Sequence, residues 1–131
     1  MSSHLELHDS RVSRIEWVGK VVMIHFSHAH IHKSGGKSIH DLGSAWSREA
    51  GLILREATAT GPAPVLPNTI AEGYLEVGGI RHEGLPLPFK RKVDARLYLL
   101  FIDGSQAEII GKRPTIVLLG APIYLQNFSS A

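Results

Sequence analysis

Apolar residues in this chain recur at every second position over short stretches, and a reversal signal closes most of those stretches. A period of two belongs to extended backbone, where successive side chains point to opposite faces. In "VDARLYLLFIDGSQAEIIG", Val93, Ala95, Leu97, Leu99 and Phe101 form one row and Asp94, Arg96 and Tyr98 the other. Asp103-Gly104 then predicts a hairpin into a second strand. "RVSRIEWVGKVVMIHF" repeats the arrangement around Gly19-Lys20. Ser13, Ile15 and Trp17 share one face there, with Val12, Arg14, Glu16 and Val18 opposite. In the returning strand Val22, Ile24 and Phe26 form the inward row, and Val21, Met23 and His25 lie outside. "GYLEVGGIRHEG" predicts a further hairpin about its two glycines. "PTIVLLGAPIYLQNF" predicts an apolar strand with a bend or an edge at Pro122.

Two connections read as loops. "TGPAPVLPNT" is proline-rich, and "EGLPLPF" is extended because a residue before proline is pushed toward β. The segment 45–57 supports two readings. Trp46, Ala50, Ile53, Leu54 and Ala57 stand at helical spacing with Ser44 as an N-cap, yet Gly51 weakens a helix by about 1 kcal/mol against alanine. "LILREATAT" alternates as a strand, and strand is the reading for 51–59. The expectation is an all-β fold: an antiparallel sandwich or barrel of about seven to nine short strands, with at most one short helix. Residues 1–131 are expected to form one β domain, since a chain of this length with 44% hydrophobic residues can bury its own core.

Composition narrows the chemistry. No cysteine is present, which excludes disulfides, thiolate metal sites and a cysteine nucleophile, and suits a reducing compartment. The opening "MSSHLELHDSR" lacks the basic-then-apolar order of a signal peptide, and no apolar run reaches the roughly 20 residues of a membrane helix. A cytoplasmic protein of bacterial type, without a membrane partner, is expected. Net charge is only +2, and Lys90, Arg91 and Lys92 form the one tight basic cluster. Without a basic stripe or a recognisable module, nucleic acid is not expected as a partner.

The sharpest functional lead is "HFSHAHIHKSGGKSIH", which holds five of the eight histidines. His28, His30 and His32 alternate along an extended segment, about 7 Å apart at Cα, so two could converge on a divalent ion. His82 with Glu83, or His40 with Asp41, could complete such a site. The competing reading leaves these imidazoles outside and turns Ala29 and Ile31 inward. Because Val22, Ile24 and Phe26 have even numbers, that reading needs a bulge near Ser27 to invert the phase. We expect the bulge, mostly exposed histidines and no cofactor, with a divalent metal at His28, His30 and His32 as the alternative.

Three motifs fall short of a catalytic constellation. "SGGKS" has the ending of a phosphate-binding loop, but Ile31 stands where the first glycine belongs. His8, Asp9 and Ser10 are consecutive and cannot converge as a triad; they predict a turn that starts the first hairpin. "HAH" and "HIH" resemble the His-x-His element of cupins, which would imply a small metal-dependent barrel enzyme using His28 and His30. The glutamate of that family is replaced by "KSGGKS", and its later Pro-x-Gly-x-x-His is missing.

"LHDSRVSRI" resembles the opening of a loose group of small bacterial β-rich domains that begin His-Asp-[Ser/Ala]-x-[Val/Ile]-x-x-[Ile/Val]. Some of these are proposed immunity proteins of bacterial toxin systems. The resemblance spans about nine residues and implies a non-catalytic cytoplasmic domain acting by protein contact, on a protein partner or on itself. A metal-dependent enzyme and a barrel carrier of a small apolar ligand are the alternatives.

Overall fold

The computed structural model describes residues 2–34 and 41–129, and no helix occurs among them. Nine strands do: β1 (Ser3–Val18), β2 (Val21–Lys33), β3 (Asp41–Thr60), β4 (Asn68–Val77), β5 (Ile80–His82), β6 (Gly84–Leu87), β7 (Asp94–Phe101), β8 (Gln106–Leu118) and β9 (Ile123–Ser129). Six of them close an antiparallel barrel in the order β1-β2-β3-β8-β7-β4, with β4 returning to β1. Strands β5, β6 and β9 are added to β4, β1 and β3 respectively. The expected all-β architecture is present, and it is the barrel.

Closure follows from the inward rows. Val22, Ile24 and Phe26 of β2 face Leu52 and Leu54 of β3, and Leu97, Leu99 and Phe101 of β7 meet Ile70 and Leu75 of β4; all are buried. Each such side chain contributes roughly 1.5–3 kcal/mol by leaving water. Val77 and Ile80 flank the glycine pair of the predicted β4–β5 hairpin. Val18 and Val21 pair across Gly19-Lys20, and Gly19 takes the left-handed conformation that this reversal requires.

The helical alternative for 45–57 is overruled by tertiary pairing. Those residues lie in the 20-residue β3, whose Trp46, Arg48, Ala50, Leu52 and Leu54 share the inner phase. Gly51 falls on the outer face, where the terminal methyl of Met23 occupies the space a Cβ would need. Other details depart from expectation. Val93 lies outside the inward row: β7 begins at Asp94, and Val93 is exposed while its carbonyl accepts the Arg113 N–H at 2.9 Å. The turn at Asp103-Gly104 spans residues 102–104 rather than two, because Phe101 N–H bonds the Ser105 carbonyl and closes the loop there. Val12 and Ile15 both turn inward, since a bulge at Ser13 changes the phase of β1 between them.

Candidate functional site

The predicted phase inversion in β2 is present. Between Phe26 and Ala29, two residues of β2 (Ser27 and His28) oppose the single Glu49 of β3. Beyond this bulge Ala29 and Ile31 enter the core, and the histidines go to the outer face. His28 is exposed, as expected. His30 and His32 are not: both are half-buried. The His30 ring lies 6.5 Å from that of His8, and His32 packs edge-on against Phe128 at 5.1 Å. The Nδ1 of His30 and the Oγ of Ser47, on residues paired across β2 and β3, are buried without a hydrogen-bond partner among the described residues.

Among the described residues, no three His, Cys, Asp or Glu side chains are grouped so as to hold a metal ion. His82, the possible further ligand, sits on β5 with its ring against Phe89. His40 and the Gly-Gly-Lys-Ser segment lie outside the described residues.

The "HDS" opening is not a turn before the first hairpin. It lies inside β1, at a wide bulge where Asp9 has φ +69°. Ser10 is fully buried; its Oγ donates to the Glu6 carbonyl at 2.6 Å and accepts the His30 N–H at 2.9 Å. The hydroxyl thus replaces the ladder bonds that the bulge interrupts.

One constellation was missed by sequence reasoning. The bulge at Ser13 turns its side chain outward beside His25, whose side chain is only 8% exposed. Ser13 Oγ lies 2.9 Å from His25 Nδ1, and Glu49 Oε2 lies 3.3 Å from His25 Nε2. Ser13 has one hydroxyl proton: given to Nδ1 it leaves Nε2–H to bond the carboxylate, and given to the His25 carbonyl it leaves Oγ to accept from Nδ1–H. Ser13 Oγ is also 3.2 Å from the His25 carbonyl oxygen. The order hydroxyl–imidazole–carboxylate is that of an acyl-transfer relay. None of the three residues lines the two barrel-mouth cavities described below, and their contacts clasp β1, β2 and β3 together on the barrel wall. Its signal, a serine and a carboxylate 12 residues upstream and 24 downstream of His25, has no recognisable spacing.

Two surface features have the character of binding sites. The first is β9. It pairs only with β3, so its other edge is free among the described residues. No charged side chain follows Arg113 in the sequence, and Ile123, Tyr124 and Leu125 are 60%, 49% and 51% exposed. The other added strands are blunted: β5 has three residues, and β6 contains Pro86 with Pro88 just beyond.

The second feature is the pair of barrel mouths. One is a cavity of about 270 Å³ whose walls include Ile15, Trp17, Leu66 and Ile109. The other, of about 320 Å³, is walled by Ile31, Trp46, Leu87 and Leu118 and carries Lys33 and Arg48. Comparisons with family models, with curated proteins and with solved structures find no match to this chain.

Proposed function

We propose that the protein is a non-catalytic interaction domain whose protein partner adds a strand to the free edge of β9. The carrying observation is that edge: seven residues long, without charge or proline, with three large apolar side chains in solvent. Sheet edges of this kind are normally shortened, charged or covered because they pair with any extended chain that reaches them. An incoming strand satisfies the open backbone groups of β9, and its alternate side chains meet Ile123, Tyr124 or Leu125. The opening motif supports the same reading, because the immunity-like domains it resembles act by protein contact. We read the site of action as the cytoplasm, which the absence of cysteine suits.

The test uses a generic strand donor, a synthetic peptide copying residues 122–129, and amide hydrogen exchange. Added peptide should slow exchange in β9 and leave β7 unchanged, and Leu125→Lys should abolish the effect. Unchanged β9 exchange at millimolar peptide would overturn the proposal. Sedimentation of the free protein over a hundredfold concentration range then separates self-pairing from a foreign partner.

A further inference from the structure

The inward rows of β2 and β3 each carry one cation beyond the bulge. Past the bulge, the inner face of β2 runs Ala29, Ile31, Lys33, and the facing row of β3 runs Arg48, Trp46, Ser44. Inner positions of a small barrel are filled by apolar side chains, and Lys33 and Arg48 interrupt that pattern at one mouth. None of the residues lining this cavity is acidic. Neither cation has a carboxylate partner among the described residues, whose ion pairs otherwise involve His8, Arg14, His25, Arg81, Arg96 and Lys112. Lys33 Nζ lies 4.3 Å from the centre of the Trp46 ring, and Arg48 Nε makes a long bond of 3.4 Å to the Leu119 carbonyl. Two half-buried like charges thus stand over apolar walls without a carboxylate counterion among the described residues, an arrangement that an entering anion completes.

We propose that this mouth is a binding site for a small amphipathic carboxylate. Its apolar body lies against Ile31, Trp46, Leu87 and Leu118, and its charge is held between Lys33 and Arg48. The volume of about 320 Å³ stands at the low end of the roughly 300–1,000 Å³ typical of small-molecule pockets, so a short chain or a single ring fills it. Arginine presents a fork that matches a carboxylate, and lysine adds a mobile point charge. The mouth is a separate site from the β9 edge, and the inference does not depend on the interaction proposed there.

The sequence supplies its own reporter. Of the two tryptophans, Trp46 walls this cavity and Trp17 walls the other mouth, so Trp17→Phe leaves one signal. The Trp17→Phe protein is titrated with octanoate, octanamide and acetate while Trp46 fluorescence is followed. Octanoate should give a saturable change, octanamide at least tenfold weaker binding, and acetate none below tens of millimolar. Arg48→Gln and Lys33→Met, each checked for an unaltered far-UV circular dichroism spectrum, should weaken octanoate at least fivefold and change octanamide less than twofold. Leu125→Lys should leave octanoate binding intact. Equal affinity for octanoate and octanamide, insensitivity to both cation substitutions, or no saturable response to millimolar octanoate would each overturn the proposal. If either cation variant fails to fold, the neutral Arg48→Met or Lys33→Gln replaces it, with the same fivefold loss of octanoate affinity expected and unchanged binding overturning the proposal.

Discussion

Ser10 and Asp103 are small polar residues that hold irregular backbone, one inside the wall and one at its rim. Ser10 is buried with both its donor and its acceptor roles filled. Ser10→Ala leaves the His30 N–H without its acceptor, and a buried unsatisfied group costs about 1–3 kcal/mol. Urea unfolding should show a loss in that range. Asp103 accepts the Ser105 hydroxyl at 2.7 Å and the Ser105 N–H at 2.9 Å, which hold its carboxyl below the ordinary value of 3.8 with a smaller contribution from Asn68. A depressed carboxyl stabilises the folded form above its unfolded value and loses that contribution as pH falls through the folded one. The β7–β8 loop should therefore stay unchanged from neutrality down to about pH 4 and loosen only below it. An NMR titration should place the Asp103 midpoint under 3.8, and Ser105→Ala should raise it.

At the scale of elements, the two-residue bulge in β2 decides which side chains reach solvent. Deleting Ser27 alone leaves His28 opposite Glu49 and keeps Ala29 and Ile31 inward, whereas deleting Ser27 and His28 together drives His30 and His32 into the core and puts Ala29 and Ile31 outside. The double deletion should abolish cooperative unfolding in urea, whereas Ser27→Ala should shift stability by less than about 0.5 kcal/mol. This bulge was legible in the sequence because two apolar rows of opposite parity, Val22-Ile24-Phe26 and Ala29-Ile31, cannot both face inward on a regular strand. The bulges of β1 were not, because the inward residues they separate, Leu5-Leu7, Val12 and Ile15, are too few to form rows of recognisable parity. Nor was the half-burial of His30 and His32: it depends on the rings of His8 and Phe128, which arrive from other strands. Lys33 and Arg48 stood in plain view as ordinary strand charges. Their inward placement follows from the bulge together with the unbroken phase of β3, which local alternation around Trp46 does not distinguish from a helix.

For the whole molecule, the hydrophobic rows were the readable part and their order around the barrel was not. Alternation assigns a face to each residue of β7, and Phe101→Ala should cost roughly 3–5 kcal/mol by urea unfolding, as for a buried phenylalanine. Alternation carries no information about which strand lies next to which, beyond the hairpins. The neighbours β3–β8, β4–β7 and β1–β4 are not joined by short turns, and two of them, β3–β8 and β1–β4, bring together residues about 50 or more positions apart. The barrel closes through β1–β4, and that ladder consists of two residue pairs, Arg11 with Thr69 and Val12 with Asn68. Every other junction of the ring is longer. A cylinder with one short weld behaves as a rolled sheet with a preferred line of parting. Under gentle denaturant the wall should unzip there first, so that Arg11 and Thr69 lose their deuterium protection well before Ile24 and Leu52 of the longer β2–β3 ladder do.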